Sequence, residues 1–259
     1  MEYSKSELRR TKIMDMIKKN GKISVQEITS VIGCSEATAR RDLDLMEKEG
    51  QLIRTIGGAV YEGGGKINQD EVPFVDKQFA QQPDKQKIAE AAAALVVDGD
   101  VIGLTGGTTT FLIAMELKHR KNITVVTNAV NIAFELADAE GVQVVLTGGV
   151  MRSQSYELIG PLAESVIQKI NLSKMFLGVD GVASERGFTM HSELEVRIAQ
   201  QLSERSSEVY AVFDQSKLEK TALFTIMPLK EVTGIITNAH PDSWLQQLCD
   251  KEHVQLQLV

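Results

Sequence analysis

Five apolar runs beyond residue 100 of this chain end in glycine, threonine, asparagine, aspartate or lysine. The first end is Thr105-Gly106-Gly107-Thr108-Thr109-Thr110, between the run Val101–Leu104 and a helical pattern. Glycines there let backbone N–H groups approach an anion. The hydroxyls add donors, and a helix dipole favours negative charge. With no Lys following, this is not a Walker A loop, and it is not the G-x-G-x-x-G dinucleotide fingerprint. Thr127-Asn128, Gly148-Gly149, Asp180-Gly181 and Asp214 with Ser216 and Lys217 close four further runs. Lys217 could neutralise a phosphate, while Asp180 and Asp214 could accept hydrogen bonds from sugar hydroxyls. Each pair alone would equally suit a cap or turn, but five together point to a small phosphorylated ligand. Arg152, Tyr156, Glu193 and His191 lie in or beside loops that could close on it. His191 suits an ordinary surface position equally well.

A second group of polar residues lies near the start. Ser35, Thr38, Arg40 and Arg41 fall in the first turns of a helical pattern, and Arg54 follows in a short extended run. Arginine reaches guanine bidentately or a phosphate, and a helix N-terminus favours phosphate. The elements around them have the order of a winged helix-turn-helix. Ser6 to Lys19 reads as an amphipathic helix stopped by Asn20-Gly21. Ser24 with Glu27 has the capping-box spacing before a second helix, which Gly33-Cys34 breaks. Ser35 caps a long third helix, with Gly50 as its left-handed end. Gln51–Arg54 and Ala59–Tyr61 form a hairpin around Gly57-Gly58. Such a turn sets two helices at a steep angle and aims the first residues of the long helix at base edges. A packing-only αα-hairpin with Arg40 and Arg41 solvated is the alternative. The order and spacing taken together favour DNA.

Beyond Tyr61 the composition changes. Gly63-Gly64-Gly65, Asn68, Gln69 and two prolines read as a connection over 61–75, although Phe74, Val75 and Phe79 could pack on the second domain. From there strands alternate with helices. Helices are expected at Asp84–Val97, from the threonine loop to Lys118, at Ala129–Ala137 with Asn128 as cap, and at Leu162–Ile170, Ser192–Arg205 and Ser243–Asp250. Strands are expected at Val101–Leu104, Ile123–Thr127, Val142–Leu146, Lys174–Val179, Val209–Phe213, Val232–Thr237 and Val254–Val259. This alternation means a mostly parallel sheet covered on both faces, with ligands beyond the C-terminal strand ends. The fold class is therefore α/β. A head over 1–60 and a connection over 61–75 precede a larger body over 76–259.

Composition agrees with that division. The chain has 259 residues, 43% hydrophobic and 24% charged, enough for a sizeable core. Its net charge of -7 conceals an asymmetry: residues 1–58 hold eleven Lys/Arg against nine Asp/Glu, leaving the rest at -9. A mildly basic head on an acidic body suits a head that meets polyanions. Cys34 and Cys249 are too few and too far apart for a disulfide framework and point to a reducing cytoplasm. No apolar stretch reaches membrane-spanning length, so no membrane partner is expected. His119, His191, His240 and His253 lack zinc spacing, so no metal or cofactor is expected.

The run Gly33-Cys34-Ser35-Glu36-Ala37-Thr38-Ala39-Arg40-Arg41-Asp42-Leu43, followed by Arg54-Thr-Ile-Gly57-Gly58-Ala59, resembles the DeoR family of bacterial transcription regulators. So do Gly106-Gly107-Thr108-Thr109, Val125-Val-Thr-Asn128, Thr147-Gly-Gly149, Phe176-Leu-Gly-Val-Asp-Gly181 and Asp214-x-Ser-Lys217. The resemblance places Thr38, Arg40 and Arg41 in a recognition helix. It also implies a body similar to pentose-phosphate isomerases and CoA transferases, with a sugar-phosphate effector. Thr105 and Asn238 stand where the family commonly has Asp, which bears on which hydroxyls are recognised.

The expected function is a repressor of a carbohydrate-use operon, released from double-stranded operator DNA by a phosphorylated sugar. Two-fold operators call for a dimer or tetramer of the chain. The alternative is a sugar-phosphate isomerase using Asp180, Glu193 and Lys217. An isomerase gives the head no role, and likeness of fold does not confer activity.

Overall fold

The computed structural model describes residues 5–49, 51–61, 71–78, 80–240 and 244–259. The expectations for Gly50, Gly63–Gly65, Asn68, Gln69, Phe79 and a helix start at Ser243 fall outside the described residues.

The head is built from α1 (Lys5–Asn20), β1 (Lys22–Ser24), α2 (Val25–Ile32), α3 (Glu36–Lys48), β2 (Ile53–Thr55) and β3 (Gly58–Val60). Its start and stop signals act as their chemistry requires. Ser24 accepts the Glu27 N–H while the Glu27 carboxylate accepts the Ser24 N–H, a complete capping box. Gly33, at φ 74°, ends α2 in the left-handed region. Ile13, Ile17, Ile28, Leu43 and Met46 are fully buried between the three helices. Each such side chain contributes about 1.5–3 kcal/mol. Arg9 of α1 grips the buried Asp42 carboxylate of α3, so an ion pair holds the third helix as well. The hairpin gains a strand that the sequence pattern does not show. β1 pairs with β3, giving the order β1-β3-β2. Three residues with one buried side chain are too short to show a period of two.

A short strap follows: α4 (Phe74–Lys77), flanked by Glu71 and Gln78. The body then runs α5 (Gln82–Ala94), β4 (Val101–Leu104), α6 (Thr108–Leu117), β5 (Ile123–Thr127), α7 (Val130–Leu136), β6 (Val142–Leu146), β7 (Val150–Arg152), β8 (Glu157–Ile159), α8 (Pro161–Ile167), β9 (Leu172–Gly178), β10 (Gly181–Ala183), β11 (Gly187–Met190), α9 (Glu193–Glu204), β12 (Ser206–Val212), β13 (Phe224–Met227), β14 (Gly234–Thr237), α10 (Trp244–Glu252) and β15 (Gln255–Leu258).

Seven strands form one parallel sheet in the order β15-β14-β12-β9-β4-β5-β6. One face packs Phe176, Tyr210 and Val212 against α5, α6 and α7. The other packs Met175, Leu177 and Ala211 against α8, α9 and α10. From β4 the chain winds outward through β5 and β6. It then crosses to β9 and winds the opposite way, so the switch point lies between β4 and β9. There the two flanking crossovers diverge and leave a crevice at the strand ends. The parallel alternation expected from the sequence is present. The antiparallel additions β7-β8 and β10-β11-β13 have no counterpart among the expected strands, because they lie between turn-rich stretches and are three or four residues each.

Candidate functional site

The crevice between the ends of β4 and β9 opens into a cleft enclosing about 950 Å³, part of it open to solvent. Its floor is the turn from β4 into α6. Gly107 caps that helix at φ 127°, without a side-chain cap bond. Gly106, Gly107, Thr108 and Thr109 all line the cleft. The first-turn N–H groups of a helix have no partner within it and favour an anion. Gly178 and Asp180 at the end of β9 form the facing wall, and Asp214, Ser216, Lys217 and Lys220 form a third side. Asp214 accepts the Ser216 N–H at 2.9 Å, which shapes the turn carrying the buried Lys217.

Asp180 is held through both of its carboxylate oxygens. Its Oδ1 accepts from Lys77 Nζ at 2.8 Å, and its Oδ2 from the His191 backbone N–H at 3.3 Å. Burial opposes its charge, yet Lys77, His191 and Lys217 outweigh burial and hold the carboxyl below the usual carboxylate range. Asp180 therefore stays ionised and is suited to accept from hydroxyls.

Two carboxyls absent from the sequence-based candidates complete the cleft. Glu157, at the start of β8, is buried and accepts from Asn128 Nδ2 at 2.7 Å and from the Gly106 backbone. Burial, followed by the nearby Glu195 charge, pushes its carboxyl up to about 8, so at neutral pH it largely keeps its proton. A methyl group on Gly106 would lie 2.3–2.4 Å from the Glu157 side chain, so the glycine makes room for it. Glu195 accepts from Ser155 Oγ at 2.5 Å and pairs with Arg152 at 3.2 Å. Burial raises its carboxyl too. One signal for Glu157 was available: a lone acid inside the apolar run Tyr156–Ile159.

Other expected residues lie elsewhere. Glu193 is exposed on α9, and the acid that faces the cleft is Glu195, two residues on. The helix phase after the Ser192 cap turns position 195 inward. Asn128 does not cap a helix: Ala129 occupies that position, and the Asn128 amide is spent on Glu157 and the Leu158 carbonyl. Thr105 is buried and its Oγ1 accepts the Gly178 N–H at 3.0 Å, joining the ends of β4 and β9. Thr127 similarly accepts the Ala129 N–H at 3.1 Å. Gly148 and Gly149 lie off the cleft lining. A Cβ on Gly149 would meet the Ile159 carbonyl at 2.7 Å, so that glycine makes room for the β8 backbone. Arg152 stands behind the cleft, bound to Glu71 and Glu195. Tyr156 packs its ring against Phe74. Asn238 accepts the Gln215 N–H at 2.7 Å and braces the Asp214 turn.

In the head, Ser35 caps α3, accepting the Thr38 N–H at 3.3 Å. Arg40 and Arg41 are exposed. Arg40 pairs with Glu36 one turn back, at 3.3 Å, whereas Arg41 makes no ion pair among the described residues. Arg54 is tied down within the wing, to Asp44 at 3.0 Å and to the Gly58 carbonyl. These bonds hold the hairpin against α3 and use two of its five guanidinium N–H donors, so Arg54 both braces the wing and keeps donors free.

The DeoR-like helix-turn-helix domain model matches residues 9–63, and the DeoR C terminal sensor domain model matches residues 80–239. The chain belongs to the DeoR family. Its relatives include the HTH-type transcriptional repressor GlcR of Bacillus subtilis, 32% identical over 94% of this chain and 93% of that protein. The glycerol-3-phosphate regulon repressor of Escherichia coli is 28% identical over 95% and 96%. Among solved structures, ribose 5-phosphate isomerase A of Neisseria gonorrhoeae superposes with a TM-score of 0.39 at 18% identity, covering 52% of each chain. As a DeoR-family member the chain is a DNA-binding transcriptional regulator and not an enzyme. Among the described residues, no helix is long and apolar enough to cross a membrane.

Proposed function

We propose that this DeoR-family protein represses genes of carbohydrate use and releases its operator when a phosphorylated sugar fills the cleft. One observation carries the reading. The α6 N-terminus and Lys217, suited to a phosphate, share one cleft with the ionised Asp180, suited to hydroxyls. Gly106, Gly107, Thr108, Thr109, Asp180, Asp214 and Lys217 would contact the effector directly. Thr105, Thr127, Asn128 and Arg152 would support it from behind. Ser35, Thr38, Arg40 and Arg41 at the start of α3 and Arg54 of the wing would meet operator DNA. Specific binding needs two heads on half-sites roughly 34–36 Å apart or a multiple of it, so the body would pair as a dimer or tetramer. The head is taken as residues 1–60 and the body as 76–259, with the cytoplasm as the working compartment.

A thermal-shift screen tests the effector. A ligand that binds only the folded state raises its melting temperature with concentration. Stabilisation by a sugar phosphate, but not by its parent sugar, is the expected result. Equal response to both would remove the phosphate from the proposal.

A further inference from the structure

The cleft has a wall that lies outside the parallel sheet and its covering helices. Glu71, Val72, Phe74 and Lys77 of the strap line it, and so do Glu47 and Ile53 of the head. The strap is pinned to the body at three points. Lys77 Nζ sits 2.8 Å from Asp180 Oδ1, with both side chains largely buried. Glu71 is held by Arg152. The Phe74 ring lies 5.7 Å from both Phe111 and Tyr156, and its N–H donates to the Gln154 carbonyl at 2.8 Å. The opposite side of the strap holds the head. Val72 and Ala80 cluster with Ile53 of β2, and Gln81 Nε2 donates to the Glu47 carbonyl at 3.1 Å. Glu47 lies in the last turn of α3, and its carboxylate accepts the Arg54 N–H at 3.0 Å. A single segment is thus wedged between the hydroxyl-accepting carboxylate and the recognition helix.

We infer that the Lys77 ammonium holds the ligand's place on Asp180, and that a phosphosugar seats only by displacing it, which loosens the strap and undocks the head. The inference rests on the reading of the cleft as a sugar-phosphate site. A ligand hydroxyl donating to Asp180 Oδ1 competes with Lys77 for the same oxygen. Apparent affinity is therefore reduced by the fraction of molecules in which the strap is lifted. Because Val72 and Ala80 pack directly on Ile53, strap movement is transmitted to the wing without an intermediate element.

The test uses the full-length protein as wild type, Lys77→Met and Lys77→Arg. Each is titrated calorimetrically with D-fructose 6-phosphate, D-ribose 5-phosphate and sn-glycerol 3-phosphate. Removing the competitor should tighten the best of these about tenfold in Lys77→Met, while Lys77→Arg should stay near wild type. In the wild type, ligand should speed amide exchange in residues 71–78 and 51–55. Unchanged or weaker binding by Lys77→Met would overturn the inference. Ligand binding that leaves exchange in 71–78 unchanged or slower would do the same, and this result decides the matter even if Lys77→Met fails to fold. Failure of both wild type and Lys77→Met to bind any of the three would instead bring down the sugar-phosphate reading, and the inference with it.

Discussion

Replacing Glu157 with Gln should make the protein's stability less dependent on pH, and the size of the effect comes from its burial. The carboxyl ordinarily titrates near 4.5 and is held at about 8 in the folded chain, first by burial and then by the Glu195 charge. Below pH 4.5 both folded and unfolded chains carry the proton, and the residue costs nothing. Between 4.5 and 8 the unfolded chain sheds its proton while the folded chain keeps it. Stability therefore falls as pH rises through that window, at up to about 1.4 kcal/mol per pH unit. From pH 5 to pH 8 the accumulated loss is about 3 kcal/mol, on the order of 6–12 °C in melting temperature for a domain of this size. Gln keeps the shape and an acceptor for Asn128 but cannot ionise. Scanning calorimetry at pH 5, 6, 7 and 8 on both proteins should show wild type losing stability relative to Glu157→Gln as pH rises. Parallel profiles would refute the reasoning, because a constant offset reports only a changed hydrogen bond. A wild type that gains on the variant with rising pH would show that the carboxylate is stabilised in the fold.

Arg41→Ala should weaken operator binding by about 1–3 kcal/mol and leave effector binding intact, as measured by mobility shift and calorimetry. An equal loss of both activities would contradict the separation of head and cleft. Gly106→Ala should destabilise the chain by about 1–3 kcal/mol, because the new methyl must displace the buried Glu157 side chain 2.3–2.4 Å away. Thermal denaturation with no shift would show that Glu157 moves freely. Asp42→Ala should cost about 1.5–3 kcal/mol in the head, since it removes the charged hydrogen bonds that tie the partly exposed Arg9 to α3. Guanidinium unfolding followed by far-UV circular dichroism measures this, and a loss below about 1 kcal/mol would count against the pair.

Local chemistry alone determined much of this protein. The capping box at Ser24 and Glu27, the left-handed Gly33 and the Ser35 cap each act through neighbours within four residues, so their helices were legible as a string. The alternation of apolar runs with amphipathic stretches likewise disclosed the parallel sheet. Its switch point between β4 and β9 then brought the Thr105–Thr110 and Asp180 ends together. Contacts between distant residues were decided only by the folded chain. Thr105 looked like a ligand group and became a brace for Gly178, while Glu157 reached Gly106 across about fifty residues of sequence. Arg54 bonded to Asp44 of α3, and Glu195 took the cleft position in place of Glu193 through the phase of one helix. Lys77, in a segment adjoining the expected connection, met Asp180 from 103 residues away. A residue's type and immediate neighbours set its local conformation. The burial and the partner that determine its charge and its task arise from packing of the whole chain, which no short window of sequence contains.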